Sequence, residues 1–133
     1  MPDQAIGGCQ CSEVRYRLEG QPLELTVCHC TECQRQSGSA FGMSLAIPAG
    51  AFELVAGRLK FFEVVCDSGR IKSCAFCPSC GTRIYHRIDA GISVKAGTLD
   101  DTSSLRPAAH YWTRRKQPWV NIPEGVRSFP DDG

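Results

Sequence analysis

The sequence predicts a small, mainly β fold built around metal sites, and three observations carry the prediction. Short runs that alternate apolar with polar residues recur between Gly, Pro, Asp and Ser turn signals. One segment, residues 31–37, carries the marks of a helix. Nine cysteines lie among 133 residues, most of them in tight clusters. A chain of 133 residues can bury well over half of the surface it exposes when unfolded, so one domain over residues 1–133 is expected.

The elements follow in chain order. Val14, Tyr16 and Leu18 alternate with Glu13, Arg15, Arg17 and Glu19, the period of two of a strand with one buried face. Further strands are expected over 23–28, 43–47, 59–66, 70–76, 82–87 and 92–96, each bounded by turn-forming residues. In the helix at 31–37, Thr31 and Gln34 fit a capping box, and Gly38 stands where a helix often ends in a left-handed residue. From residue 103 onward, Pro107, Pro118, Pro123, Gly125 and Pro130 interrupt any regular element. Residues 103–133 are therefore expected to form an extended C-terminal arm pinned by its aromatic side chains.

A net charge of +1, with 22% charged and 42% hydrophobic residues, creates no long-range field and points to neither nucleic acid nor an anionic membrane. No apolar run approaches the roughly 18 residues of a membrane span, and residues 1–8 lack the basic and apolar blocks of an export signal. The expected location is the cytoplasm. Thiols there are kept reduced, so dense cysteine points to metal or catalysis rather than to disulfides, and an odd count fits that reading.

Cys77-Pro78-Ser79-Cys80-Gly81 is the strongest local motif. Two intervening residues let both sulfurs reach one tetrahedral ion at roughly 2.3 Å, while Pro78 stiffens the turn and Gly81 lets backbone N–H groups approach the thiolates. A saturated structural zinc site needs four ligands, so a second pair must come from elsewhere in the chain. Cys9 and Cys11, preceded by Gly7 and Gly8, are the best candidates, set against the plainer reading of two buried thiols. Cys74 shares the same spacing with Cys77, but Cys74-Ala75-Phe76-Cys77 has no turn former between its cysteines. Cys74 and Cys66 are therefore expected to be core residues at strand ends.

Cys28, Cys30 and Cys33 remain as a group of three. Three protein ligands with one open position is the arrangement of a catalytic zinc. With Cys33 in the first turn of the helix, unpaired N–H groups and the positive end of the dipole favour its thiolate. Three thiolates on a divalent ion make a net negative site, a weak Lewis acid that suits a further thiolate, and an incoming thiol loses its proton there. His29, between two of the cysteines, is expected to point away from the metal, toward solvent or the surroundings of the site. Ser37 and Ser39 flank Gly38 and are candidate hydrogen-bond donors to a bound ligand, although both also suit a helix end.

Five segments occur in order: Gly7-Gly8-Cys9-Gln10-Cys11, Val14-Arg15-Tyr16, Cys28-His29-Cys30-Thr31-Glu32-Cys33-Gln34-Arg35, Ser37-Gly38-Ser39-Ala40-Phe41, and Phe76-Cys77-Pro78-Ser79-Cys80-Gly81-Thr82. Pro107, His110 and Pro118-Trp119 follow them. Together they resemble the glutathione-dependent formaldehyde-activating enzyme family, which includes centromere protein V. The resemblance implies a β-tent fold of two antiparallel sheets around zinc sites, with one short helix. It implies two zinc ions, a structural one on Cys9, Cys11, Cys77 and Cys80 and a catalytic one on Cys28, Cys30 and Cys33. It also implies a carbon–sulfur lyase reaction that joins the thiol glutathione and the small aldehyde formaldehyde into S-hydroxymethylglutathione. Arg35, Arg114, Arg115 and Lys116 are candidates for glutathione recognition on charge alone, set against a solvated surface. A reading from another class is a zinc-stabilised binding module, with Tyr111, Trp112, Trp119 and Phe129 as its contact surface.

Overall fold

The structure is a computed structural model and describes residues 4–20, 24–66, 69–89 and 91–133. The described residues form eleven strands and one α-helix. The first half carries β1 (Gln4–Gly8), β2 (Arg15–Glu19), β3 (Glu24–Cys28), α1 (Thr31–Ser37), β4 (Gly42–Pro48) and β5 (Phe52–Ala56). The second half carries β6 (Lys60–Val65), β7 (Ile71–Phe76), β8 (Arg83–Ile88), β9 (Gly91–Lys95), β10 (Ala109–Tyr111) and β11 (Arg127–Ser128). Every strand expected from the alternating runs is present, with ends shifted by a residue or so; Leu23, at the start of one of them, lies outside the described residues. No helix among the described residues is long and apolar enough to cross a membrane.

The strands make two sheets, one of three in the order β1-β2-β5 and one of eight in the order β11-β10-β3-β4-β9-β8-β7-β6. The chain is thus mainly β, with two sheets and one short helix, as the sequence predicts. The pairings are antiparallel except at one edge, where β10 runs parallel to β3 and β11 parallel to β10. Hairpins force antiparallel neighbours, whereas β10 reaches β3 after a long excursion and is free to lie parallel. The residues expected to form an extended arm therefore contribute two short strands to the large sheet. Four strands had no clear signal in the sequence: β1, which ends in a glycine pair, β5, whose alternation stops after Phe52-Glu53-Leu54, and the short β10 and β11.

The two sheets share one core. Tyr16 and Leu18 of β2 pack with Leu45 and Ile47 of β4, Ile84 of β8, and Ile92 and Val94 of β9. Burying each large apolar side chain stabilises the fold by about 1.5–3 kcal/mol. Tyr16 is 1% exposed, stacks on Phe52 with ring centroids 5.2 Å apart, and meets the Thr98 hydroxyl at 2.7 Å. Its hydroxyl thus has the partner that a buried tyrosine needs.

Gly7 lies where the two layers touch, bridged to Leu99. A Cβ there would stand 2.4 Å from the Thr98 carbonyl oxygen and 2.5 Å from the Tyr16 hydroxyl. Neither the backbone nor a buried ring can move aside without opening the core. Gly7→Ala is therefore expected to destabilise the protein by about 1–3 kcal/mol, the usual cost of overpacking, read as a lower denaturant midpoint at unchanged slope. A variant as stable as the parent would show that the contact is looser than described.

Candidate metal centre

Two groups of sulfurs converge, and they are the two that the spacings single out. Cys9 and Cys11 lie in the turn between β1 and β2, and Cys77 and Cys80 in the turn between β7 and β8. Their four sulfurs all lie within 4.8 Å of one another and can hold a metal ion. Cys9 Sγ is 3.6 Å from Cys11 Sγ, which is 3.8 Å from Cys77 Sγ. Four thiolates around an ion at about 2.3 Å have sulfur–sulfur edges of about 3.8 Å, so the donor set fits a tetrahedral thiophilic cation. The cluster joins the turn of the small sheet to a turn of the large one.

Backbone N–H groups hold these sulfurs in place. Val14 N–H donates to Cys9 Sγ at 3.2 Å and Ser79 N–H to Cys77 Sγ at 3.4 Å. Gly81, at φ +80°, turns the chain so that its N–H reaches the Cys77 carbonyl at 2.9 Å. That left-handed turn suits glycine. The Thr82 hydroxyl lies 3.2 Å from Cys80 Sγ, and together with the Thr82 N–H it pulls that thiol down to about 5.

The second group is the trio Cys28, Cys30 and Cys33, whose sulfurs also lie within 4.8 Å of one another. Cys28 ends β3, Cys30 is the N-cap of α1, and Cys33 lies in its first turn. The cap differs from the expected capping box. Cys30 Sγ, not Thr31, accepts the Cys33 N–H at 3.3 Å, while the Gln34 amide donates to the carbonyls of His29 and Arg115 at 2.8 and 2.9 Å. A sulfur at the cap leaves the glutamine free to tie the helix to the C-terminal segment. Gly38 closes the helix at φ 62°, as expected.

Sulfurs packed this closely titrate against one another. The Cys30 thiol is pulled down to about 2 by hydrogen bonds from Cys28 and Cys33, helped by the N–H groups of Cys33 and Glu32. Cys28 is pushed far up by its hydrogen bonds to Cys30 and Cys33, and then by burial. A divalent cation allows all three to ionise together. Among the described residues, no fourth His, Cys, Asp or Glu joins the trio.

A sequence profile of the glutathione-dependent formaldehyde-activating enzymes matches residues 4–115. The chain belongs to the glutathione-dependent formaldehyde-activating enzyme family. No curated protein sequence matches it. Among solved structures it is similar to the crystal structure of a Rhodobacter sphaeroides protein, with a TM-score of 0.60 and 16% identity over 93% of this chain and 98% of that one. At that identity the likeness is one of fold.

The family match includes His29, which is fully buried at 0% exposure rather than turned to solvent. Its Nε2 meets His110 Nδ1 at 2.8 Å, and its ring lies edge-on to Phe41. Burial holds both imidazoles below the ordinary histidine range, with His110 and Lys116 adding to the effect on His29. His29 therefore braces the trio's loop against β10 and stands outside the sulfur cluster.

Cys74 is buried on β7 and outside both clusters, as expected. Cys66 is only half-buried, in the turn after β6 with its N–H on the Arg70 carbonyl at 2.8 Å, so it is not a core residue. Cys74→Ala is expected to leave metal content unchanged and to cost about 1 kcal/mol of packing, checked by metal analysis and denaturant titration. A fall in bound metal would instead make Cys74 a ligand.

The cations singled out on charge fall mostly at the surface. Arg114 pairs with Asp131 at 2.6 Å, Lys116 donates to the Val120 carbonyl at 2.8 Å, and Arg115 is exposed. Arg35, Ser39 and Gly38 line an open cleft beside α1, while the Ser37 hydroxyl is occupied by the Phe41 carbonyl at 3.1 Å. Of the aromatic residues in the tail, Tyr111 and Phe129 stack on each other and Trp119 is exposed.

A second cleft, of about 340 Å³, opens onto Cys33 itself. Its polar lining is Ser44, Lys72, His86, Ser93 and Lys95, none of which the sequence reading singled out. A Cβ on Gly42 would stand 3.4 Å from Lys95 Nζ and 3.6 Å from Cys33 Sγ, so the ammonium and the sulfur both border the space that this glycine leaves free. Burial pulls Lys95 below the ordinary lysine range, while Cys33 and Cys28 push it back. Burial, then Lys95, Lys72 and Arg83, pull His86 down to about 3, so it is neutral and accepts a hydrogen bond from Arg83 at 2.9 Å.

Proposed function

We propose that the protein is a zinc enzyme of the carbon–sulfur lyase type that condenses a thiol such as glutathione with formaldehyde or a related small aldehyde to a hemithioacetal. The observation that carries this reading is the contrast between the two clusters. One brings four sulfurs together, while the other brings three and borders a cleft. On this reading Cys9, Cys11, Cys77 and Cys80 hold a structural zinc, and Cys28, Cys30 and Cys33 hold a catalytic one with a position free for substrate.

Zinc at the trio would supply a positive centre at which a thiol is held as thiolate near neutral pH. The sulfur adds to the aldehyde carbon, the carbonyl π bond opens, and the proton given up by the thiol ends on the oxygen. No oxidant or further reactant is needed. The chain's own part is to fix the geometry: the Cys33 N–H steadies Cys30, Gly42 leaves room beside Cys33, and Lys95 faces the same point with positive charge. Positioning of this kind accounts for much of what a site can contribute to an addition reaction. A single domain over residues 1–133, located in the cytoplasm, completes the reading.

Exchange between formaldehyde hydrate and the glutathione hemithioacetal, followed by 13C exchange spectroscopy, tests it. Zinc-loaded protein should accelerate the exchange in proportion to its concentration, and Cys30→Ser should not. Equal rates with and without the protein, for glutathione and for simpler thiols, would refute the assignment.

A further inference from the structure

Formaldehyde has two heavy atoms and needs neither a cleft of about 340 Å³ nor a buried cation beside it. Lys95 is only 9% exposed, and its ammonium donates to Ser44 Oγ at 3.2 Å from the paired position on β4. Among the described residues, no carboxylate stands within ion-pair distance of it. A buried charge is costly unless it is paired. Cys33 and Cys28 offset part of that charge, and Lys95 lines the cleft together with Cys33. Ser93 and Lys72 also line the cleft.

We propose that this cleft is a carboxylate-binding subsite, in which Lys95, steadied by Ser44, holds a carboxylate of the ligand while the ligand's reacting atom stands beside Cys33. The inference rests on the reading of the trio as an open metal site. The carboxylate belongs either to the thiol or to the aldehyde, and both present the same group to Lys95.

Two matched pairs of probes separate the sources on zinc-loaded protein. Calorimetry compares 3-mercaptopropionate with 2-mercaptoethanol, and addition rates compare glyoxylate with acetaldehyde. The readout for each pair is the charged-to-neutral ratio in the parent divided by the same ratio in Lys95→Met, which removes intrinsic reactivity. A carboxylate on the thiol is expected to raise this quotient about ten- to a hundredfold for the first pair, and one on the aldehyde for the second, as a charge-assisted hydrogen bond does. Ser44→Ala keeps the ammonium but loses its anchor. It should lower the parent ratio by a smaller factor, and it serves as the test should Lys95→Met fold poorly. Quotients near one for both pairs, with Ser44→Ala ratios equal to the parent's, overturn the subsite while the addition reaction stands. Failure of both thiols to bind at all overturns the open metal site, and the subsite falls with it.

Discussion

Cys77→Ser is expected to leave the protein unfolded at room temperature. Cys77 is fully buried, and its sulfur stands 3.8 Å from that of Cys11 across a cluster that ties the β1–β2 turn to the β7–β8 turn. A structural zinc contributes about 10–16 kcal/mol of apparent binding free energy, and that energy exists only in the folded chain. Total stability is about 5–15 kcal/mol, so losing a large share of the metal term removes most or all of it. The variant should show no cooperative thermal transition and about one zinc fewer per chain than the parent. A Cys77→Ser protein that binds as much zinc as the parent and melts within a degree or two of it would contradict the four-sulfur assignment.

Cys30→Ser is expected to have the opposite profile, with an intact fold and the thiol chemistry gone. Cys30 caps α1 by accepting the Cys33 N–H, and a serine hydroxyl is among the best groups for that task, so the helix start survives the change. What is lost is one of the three sulfurs that, among the described residues, come together at this site. Thiol binding to the parent should strengthen with pH up to about 8.5, because the bound form is the thiolate and one proton is released below the pKa of the free thiol. Above that pH the free thiol is already ionised and the affinity levels off. Calorimetry in two buffers of different ionisation enthalpy counts the proton, and in Cys30→Ser both the binding and the proton should vanish. Thiol affinity unchanged in this variant would remove the trio from the reaction.

Much of the site was legible in the sequence because chelation is local. Two sulfurs close in the chain can reach one ion without help from the rest of the fold, and the spacings of Cys9 with Cys11, Cys77 with Cys80, and Cys28 with Cys30 and Cys33 show that arrangement directly. The strands with one buried face, such as β2 with Tyr16 and Leu18 inward, were legible for the same reason, since alternation records burial.

The parts that were not legible depend on distant neighbours. Gly7 and Gly8 weaken the strand signal of β1, and Gly7 is needed only because Thr98 and Tyr16 crowd it from far along the chain. β10 pairs in parallel with β3 across a separation that no local pattern records. The sequence places His29 away from the metal without saying whether it meets solvent or the surroundings of the site, because its partner His110 comes from far along the chain. Lys95 carries no signal of its own in the strand expected over 92–96, and its place beside Cys33 comes from the pairing of β9 with β4. Gln34 satisfied a capping pattern in sequence, yet its amide serves the His29 and Arg115 carbonyls, which no local rule anticipates.

The proposed chemistry depends on an open position at Cys28, Cys30 and Cys33. X-ray absorption at the zinc edge, recorded on zinc-loaded protein before and after addition of 2-mercaptoethanol, measures it directly. The predicted result is one additional sulfur per protein at about 2.3 Å on adding the thiol, absent in Cys30→Ser. A resting spectrum in which the zinc at the trio already has four protein ligands, and which no concentration of thiol alters at any pH, would contradict the account and leave a zinc-stabilised binding module in its place.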